Sequence, residues 1–92
     1  MYKIIYKPSS LSDLNEILYY ISQDNFQIAI KVQETIFNFI NNLALFPMLW
    51  KQNWNNFLLR EVIEPAFKYR IIYKIEDDTV FILWVFKNKN LY

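Results

Sequence analysis

The chain has no glycine in 92 residues, and that absence constrains it more than any residue it contains. The phosphate-cradling loops of nucleotide-binding folds need backbone that only glycine tolerates, so the Rossmann and Walker patterns are excluded. A tight β-hairpin cannot use the favoured Asn-Gly pair either. Cysteine and histidine are also missing. Zero Cys removes disulfides, thiolate catalysis and cysteine-ligated metal sites. Zero His removes the usual general base near neutral pH, the serine triad and the commonest metal ligand. No cofactor or metal is expected. Any chemistry must run on Lys, Arg, Tyr, Asp or Glu, or the protein acts by binding.

Hydrophobic side chains make up 54% of the chain and aromatic ones 20%. A domain this small buries only about 60–65% of its unfolded surface. Some aromatics must therefore stay exposed, as a partner interface or as half-buried Tyr and Trp at the rim. The formal charge of +1 is too balanced to mark a nucleic-acid binder by itself. The basic excess lies in the second half, and the last six residues carry Lys87 and Lys89 with no acidic side chain. No run approaches the ~18 apolar residues of a membrane span, and no signal peptide is evident. A single domain over residues 1–92, with cytoplasmic residence and no membrane partner, is expected.

Tyr2 to Lys7 alternates and reads as a strand closed by Pro8. Leu11, Leu14, Ile17, Leu18 and Ile21 then share one helical face, predicting a helix over Ser10–Ser22 with Ser10 and Asp13 as a weak capping box. Asp24 and Asn25 offer the next cap. Ala29, Val32, Ile36, Ile40 and Leu43 continue at helical spacing, widened by Phe37 and Phe39, until Pro47 ends the helix near Phe46. The short connection implies an antiparallel helical hairpin. Met48 to Asn56 reads as a loop.

From Phe57 the period changes to two. Phe57–Glu64, Phe67–Glu76 and Thr79–Lys87 are rich in Ile, Val, Tyr and Phe and read as strands. Pro65–Ala66 separates the first two, and Asp77–Asp78 turns the second into the third, by a longer Asp-built turn in the absence of glycine. The order β-α-α-β-β-β predicts an α+β fold, a helical hairpin packed on a small, mostly antiparallel sheet.

The strings YKIIYKPSSLSDLNEI, ALFP, LREVI and KYRIIYKIEDDTVFIL, followed by a short basic tail, occur in this order over nearly the whole chain. Together they resemble the RelE/ParE superfamily of bacterial type II toxin–antitoxin toxins. The resemblance implies a microbial-RNase-like fold, a cognate antitoxin and one of two activities. One is inhibition of DNA gyrase, as in the ParE branch. The other is ribosome-dependent mRNA cleavage, as in the RelE branch, which is metal-independent. A degenerate member would retain antitoxin binding alone.

The resemblance also implies the candidate site. In many members the last strand ends in His or His-Tyr followed by basic residues; here Lys87 and Asn88 stand in those places. A lysine with its ordinary pKa of about 10.4 is a poor base unless it is desolvated or lies beside other cations, yet it holds a phosphate well. For an endoribonuclease, Arg60, Arg70 and Lys87 are the candidate catalytic residues. For a target-binding toxin, Arg60, Arg70, Lys87 and Lys89 are the candidate contacts.

If the strands pair, Arg60 and Arg70 could converge on the sheet face opposite the helices. The structural alternative pairs Arg60 with Glu61 or Glu64, and leaves Lys68 and Lys74 solvating a strand. Tyr92 offers a further phenol. Trp50 and Trp54 flank Lys51 and could stack on bases, but are read first as capping the core. The near-neutral charge, the missing His and the Lys87-Asn88 pair favour the gyrase-binding reading over cleavage.

Overall fold

The computed structural model describes residues 2–50 and 58–87. The element order is β1 (Lys3–Tyr6), α1 (Pro8–Asp24), α2 (Phe26–Leu43), a 3₁₀ turn (Pro47–Leu49), β2 (Arg60–Glu64), β3 (Tyr69–Glu76) and β4 (Thr79–Lys87). The four strands form one sheet in the order β1-β4-β3-β2. β1 runs parallel to β4, and the other two pairings are antiparallel. This is the α+β arrangement expected from the change of period.

The first helix begins two residues earlier than the capping box implies. Lys7 stands at its N-cap with no side-chain cap bond, and Pro8 occupies the first turn, where its missing N–H costs nothing. The Ser10 hydroxyl donates back to the Lys7 carbonyl, and Asp13 points elsewhere. One residue, Asn25, joins the helices in extended conformation: its N–H donates to the Ile21 carbonyl, and its Oδ1 accepts from the Ile28 N–H at 3.1 Å. Asn25 thus ends one helix and caps the next without positive φ.

The hairpin between β3 and β4 is also shorter than expected. Glu76 pairs directly with Thr79, leaving a two-residue loop in which Asp77 adopts φ 54°. Asp tolerates the left-handed region better than most residues because its short carboxylate can bond locally. Lys68, at φ 66°, closes the turn between β2 and β3. There the buried Glu64 carboxylate accepts from the Ala66 and Phe67 N–H groups at 2.6 and 2.8 Å, and the Lys68 N–H donates to the Glu64 carbonyl.

The core lies between the helices and one sheet face. Leu14 of α1 and Val32, Ile36, Ile40 and Leu43 of α2 meet Val62, Tyr69, Ile71, Tyr73, Val80, Ile82 and Val85. Ile17, Leu18 and Ile21 pack at its margin, whereas Leu11 is half exposed. No helix among the described residues is long and apolar enough to cross a membrane.

Candidate functional site

The register of β2 and β3 decides where the two arginines lie. Arg60 is opposite Tyr73, whose ring is in the core, so Arg60 lies on the helix-facing side at the end of β2. Arg70 is opposite Ile63, on the outer face that the helices leave open. Residues directly opposite in a ladder share a face. The two guanidinium groups are therefore on different sides of the sheet, and the convergence expected from strand alternation does not occur.

Arg60 pairs with neither Glu61 nor Glu64 among the described residues. Its Nη1 donates to the Trp50 carbonyl at 2.6 Å and more distantly to the Met48 carbonyl. The Tyr73 phenol donates to the Pro47 carbonyl at 2.5 Å. These bonds tie the carbonyls of Pro47, Met48 and Trp50, in the segment after α2, to β2 and β3. Burial raises the Tyr73 phenol to about 12, with the Arg60 charge acting in the opposite direction. The Trp50 ring lies 6.4 Å from Phe39, in keeping with a tryptophan at the rim of the core.

Arg70 sits 3.0 Å from the Glu61 carboxylate, diagonally across the strand pair. Lys87, at the end of β4, donates to the Phe67 carbonyl at 2.6 Å and lies 4.8 Å above the Tyr69 ring. The Tyr69 phenol is raised above its ordinary value by burial and, secondarily, by the charge of Glu64. Lys89, Tyr92, Lys51 and Trp54 lie outside the described residues.

Beside Lys87 is a cleft of about 540 Å³ between α1 and β4, lined by Ile17, Tyr20 and Ile21 on one side and Tyr69, Phe86 and Lys87 on the other. Its floor exists because β1 pairs only with Thr79–Ile82, so β4 continues beyond its neighbour. Side chains of α1 take over that edge. The Ser9 hydroxyl donates to the Leu83 carbonyl, and Asp13 Oδ2 accepts from the Val85 N–H at 2.9 Å. Asp13 thus satisfies a strand rather than a helix terminus. No local pattern announces this, because its partner is 72 residues away.

The outer face is open and aromatic. Trp84 and Phe86 are each 44% exposed, and Ile5 and Ile63 are exposed beside them. Phe81 carries two cations, with the Lys7 and Lys74 ammonium groups each 5.5 Å from its centroid. Lys74 is therefore more than a solvating strand residue, and Lys7 joins it on the same ring. The signal for their pairing was the shared parity of Lys7, Phe81 and Lys74, which becomes readable only with the register.

The chain matches the family model described as the ParE toxin of type II toxin-antitoxin system, parDE, over residues 4–92. No match was found among curated proteins. Among solved structures, the chain resembles one in the chromosomal ParDE TA system from P. aeruginosa, with a TM-score of 0.83 and 13% identity, covering 97% of this chain and 98% of that one. It also resembles a chain of the intact E. coli RelBE toxin-antitoxin complex, with a TM-score of 0.60 and 13% identity, covering 98% and 100%. At such identity the structures speak for the fold, which they share with the β-α-α-β-β-β order found here. The family model spans nearly the whole sequence, and on that ground the chain belongs to the ParE toxin family of type II toxin–antitoxin systems.

Proposed function

We propose that this chain is a growth-inhibiting cytoplasmic toxin that binds DNA gyrase rather than cleaving RNA, and that a cognate antitoxin neutralises it. The supporting observation is how the three candidate cations are engaged. Arg60 holds backbone carbonyls on the helix side, Arg70 holds Glu61 on the outer face, and Lys87 holds the Phe67 carbonyl. RNA cleavage by a 2′-hydroxyl needs a base, an acid and cationic stabilisation arranged around one phosphate. Among the described residues these groups do not meet, and the buried phenols of Tyr69 and Tyr73 hold their protons more tightly than usual. Binding needs no such convergence.

The α1–β4 cleft is a suitable seat for antitoxin, because it joins an apolar groove to a strand edge that is only partly covered. It accommodates a helix in the groove or an added strand. Purified protein in excess should inhibit gyrase supercoiling, and the product of the neighbouring open reading frame should relieve that inhibition. Supercoiling that proceeds normally would refute the gyrase reading. Cleavage of mRNA in a translation extract, lost on Arg60→Ala or Arg70→Ala, would establish the RelE-type alternative. Harmless overexpression without the partner would mark a member that only binds antitoxin.

A further inference from the structure

We infer that the open face of the sheet is a stacking platform for a single-stranded polynucleotide, distinct from the α1–β4 cleft except at Phe86, which borders both, and independent of the gyrase reading. On β4, Phe81, Trp84 and Phe86 all face away from the helices. Their partners across the ladder are Lys74, Ile72 and Arg70, which lie on the open face. The three rings form a column about 16 Å long at strand spacing. Trp84 and Phe86 are exposed for stacking, while Phe81 carries the Lys7 and Lys74 ammonium groups that would meet phosphates. An apolar column alone would suit many partners. Here the cations narrow the choice.

Lys74 and Arg70 stand across the ladder from Phe81 and Phe86, and Lys7 reaches Phe81 from the β1 side. The column is thus edged by positive charge on both flanks, as a strand with stacked bases and peripheral phosphates requires. The acidic groups on this face are Glu61, Glu76 and Asp78. They sit beside Arg70, Lys74 and Lys3 at 3.0, 3.5 and 3.8 Å. Lys3–Asp78 and Lys74–Glu76 are surface pairs, which are weak and can exchange a carboxylate for a phosphate. Glu61, by contrast, is only 15% exposed and keeps Arg70 paired. Lys7 has no ion pair among the described residues.

The rings and the ammonium and guanidinium groups recognise base faces and phosphates, which DNA and RNA share. A 2′-hydroxyl is read by neutral donors and acceptors. Around Trp84 and Phe86 this face offers Ile63 and Ile72, and Thr79, at the far end of β4, has its hydroxyl bonded to Asp78. A duplex hides its base faces and cannot stack on the rings.

The test is fluorescence anisotropy of the full-length chain with labelled oligo-dT and oligo-U of about twelve nucleotides, and with a duplex of equal length, at low salt. The two single strands should bind alike and the duplex at least ten-fold more weakly. Trp84→Ala and Phe86→Ala should each weaken binding about 5- to 150-fold, while Trp84→Phe retains it. Lys7→Ala should reduce the slope of log affinity against log salt by about 0.7. Phe26→Ala, on the exposed start of α2, should change nothing. Circular dichroism establishes that each variant is folded.

Absence of single-strand binding, equal binding of duplex, or binding unaffected by both aromatic substitutions would each overturn the inference. A face that takes only protein would give the first of these results. Preference for one of the two single strands would overturn the shared-chemistry reading. Because the assay contains no gyrase, its failure leaves the supercoiling test untouched, and the converse also holds.

Discussion

Replacing Tyr73 with Phe removes a single oxygen from the centre of the domain. Tyr73 is fully buried, and its phenol donates to the Pro47 carbonyl, which begins the 3₁₀ turn after α2. The ring of Tyr73→Phe fills the same space, so no cavity term arises. The cost is that of leaving the Pro47 carbonyl without its partner, about 1–3 kcal/mol. In a domain of this size each kcal/mol lowers Tm by about 4–8 °C, so thermal denaturation should show a drop of between about 4 and 24 °C.

The pH dependence sharpens the test. Burial raises the phenol to about 12 in the folded chain against 10.0 when it is free, so above pH 10 the unfolded chain loses this proton first. The stability it supports is complete below pH 10 and declines as pH rises towards 12. Tyr6, raised to about 12 by the same cause, contributes in the same direction. The alkaline loss should therefore be shallower in Tyr73→Phe, though still present. An unchanged Tm, or an alkaline profile identical to that of the parent, would refute the argument that Tyr73 secures the Pro47 segment.

Three further substitutions address the turns and the uncovered strand edge. Lys68→Gly relieves a left-handed backbone that costs a side-chain-bearing residue about 1–2 kcal/mol, partly offset by the entropy of glycine. It should raise the urea midpoint, and a lower midpoint would show that Lys68 makes a contact worth more than the strain. Asp13→Ala should speed amide exchange at Val85 and lower stability by about 1–3 kcal/mol. Asp13→Asn, which retains a carbonyl oxygen, should recover most of both, and equal effects from the two would mean that the contact is not made through that oxygen. Glu64→Ala frees the Ala66 and Phe67 N–H groups together and should cost more stability than Glu64→Gln, as read by chemical denaturation; the reverse order would contradict the turn described.

Elements with a strong local signal were legible in the sequence. Thr79–Lys87 is the strand its alternation indicates, and Val32, Ile36, Ile40 and Leu43 form the buried stripe that their spacing requires. Asn25 could be recognised as a cap because the side chain that caps lies three residues from the N–H that it receives. The faces of Arg60 and Arg70 could not be recognised in this way. Four residues, Pro65 to Lys68, separate β2 from β3 and fix the register that places Arg60 opposite Tyr73. One residue more or fewer would have put both arginines on one face.

That turn length rests on Glu64 binding its own loop and Lys68 accepting positive φ, neither of which is announced by composition. Asp13 shows the same limit. Its spacing from Ser10 suggested a cap, whereas the group that needed an acceptor was the edge of a strand distant in sequence. Arg60 has a local role that its strand position conceals, since it holds the carbonyls of the segment that precedes the strand.

The parallel pairing of β1 with β4 has a consequence for synthesis. The first strand made has no neighbour in the finished sheet until the fourth arrives, and the register joins Lys3 to Thr79 across almost the whole domain. β4 is also an interior strand, flanked by β1 and β3. While the chain is being translated, the helices can form, but the surface on which they pack is incomplete. Contacts this distant in sequence close late. A nascent copy therefore presents neither the completed cleft nor the open sheet face, and both surfaces come into being together once β4 has left the ribosome.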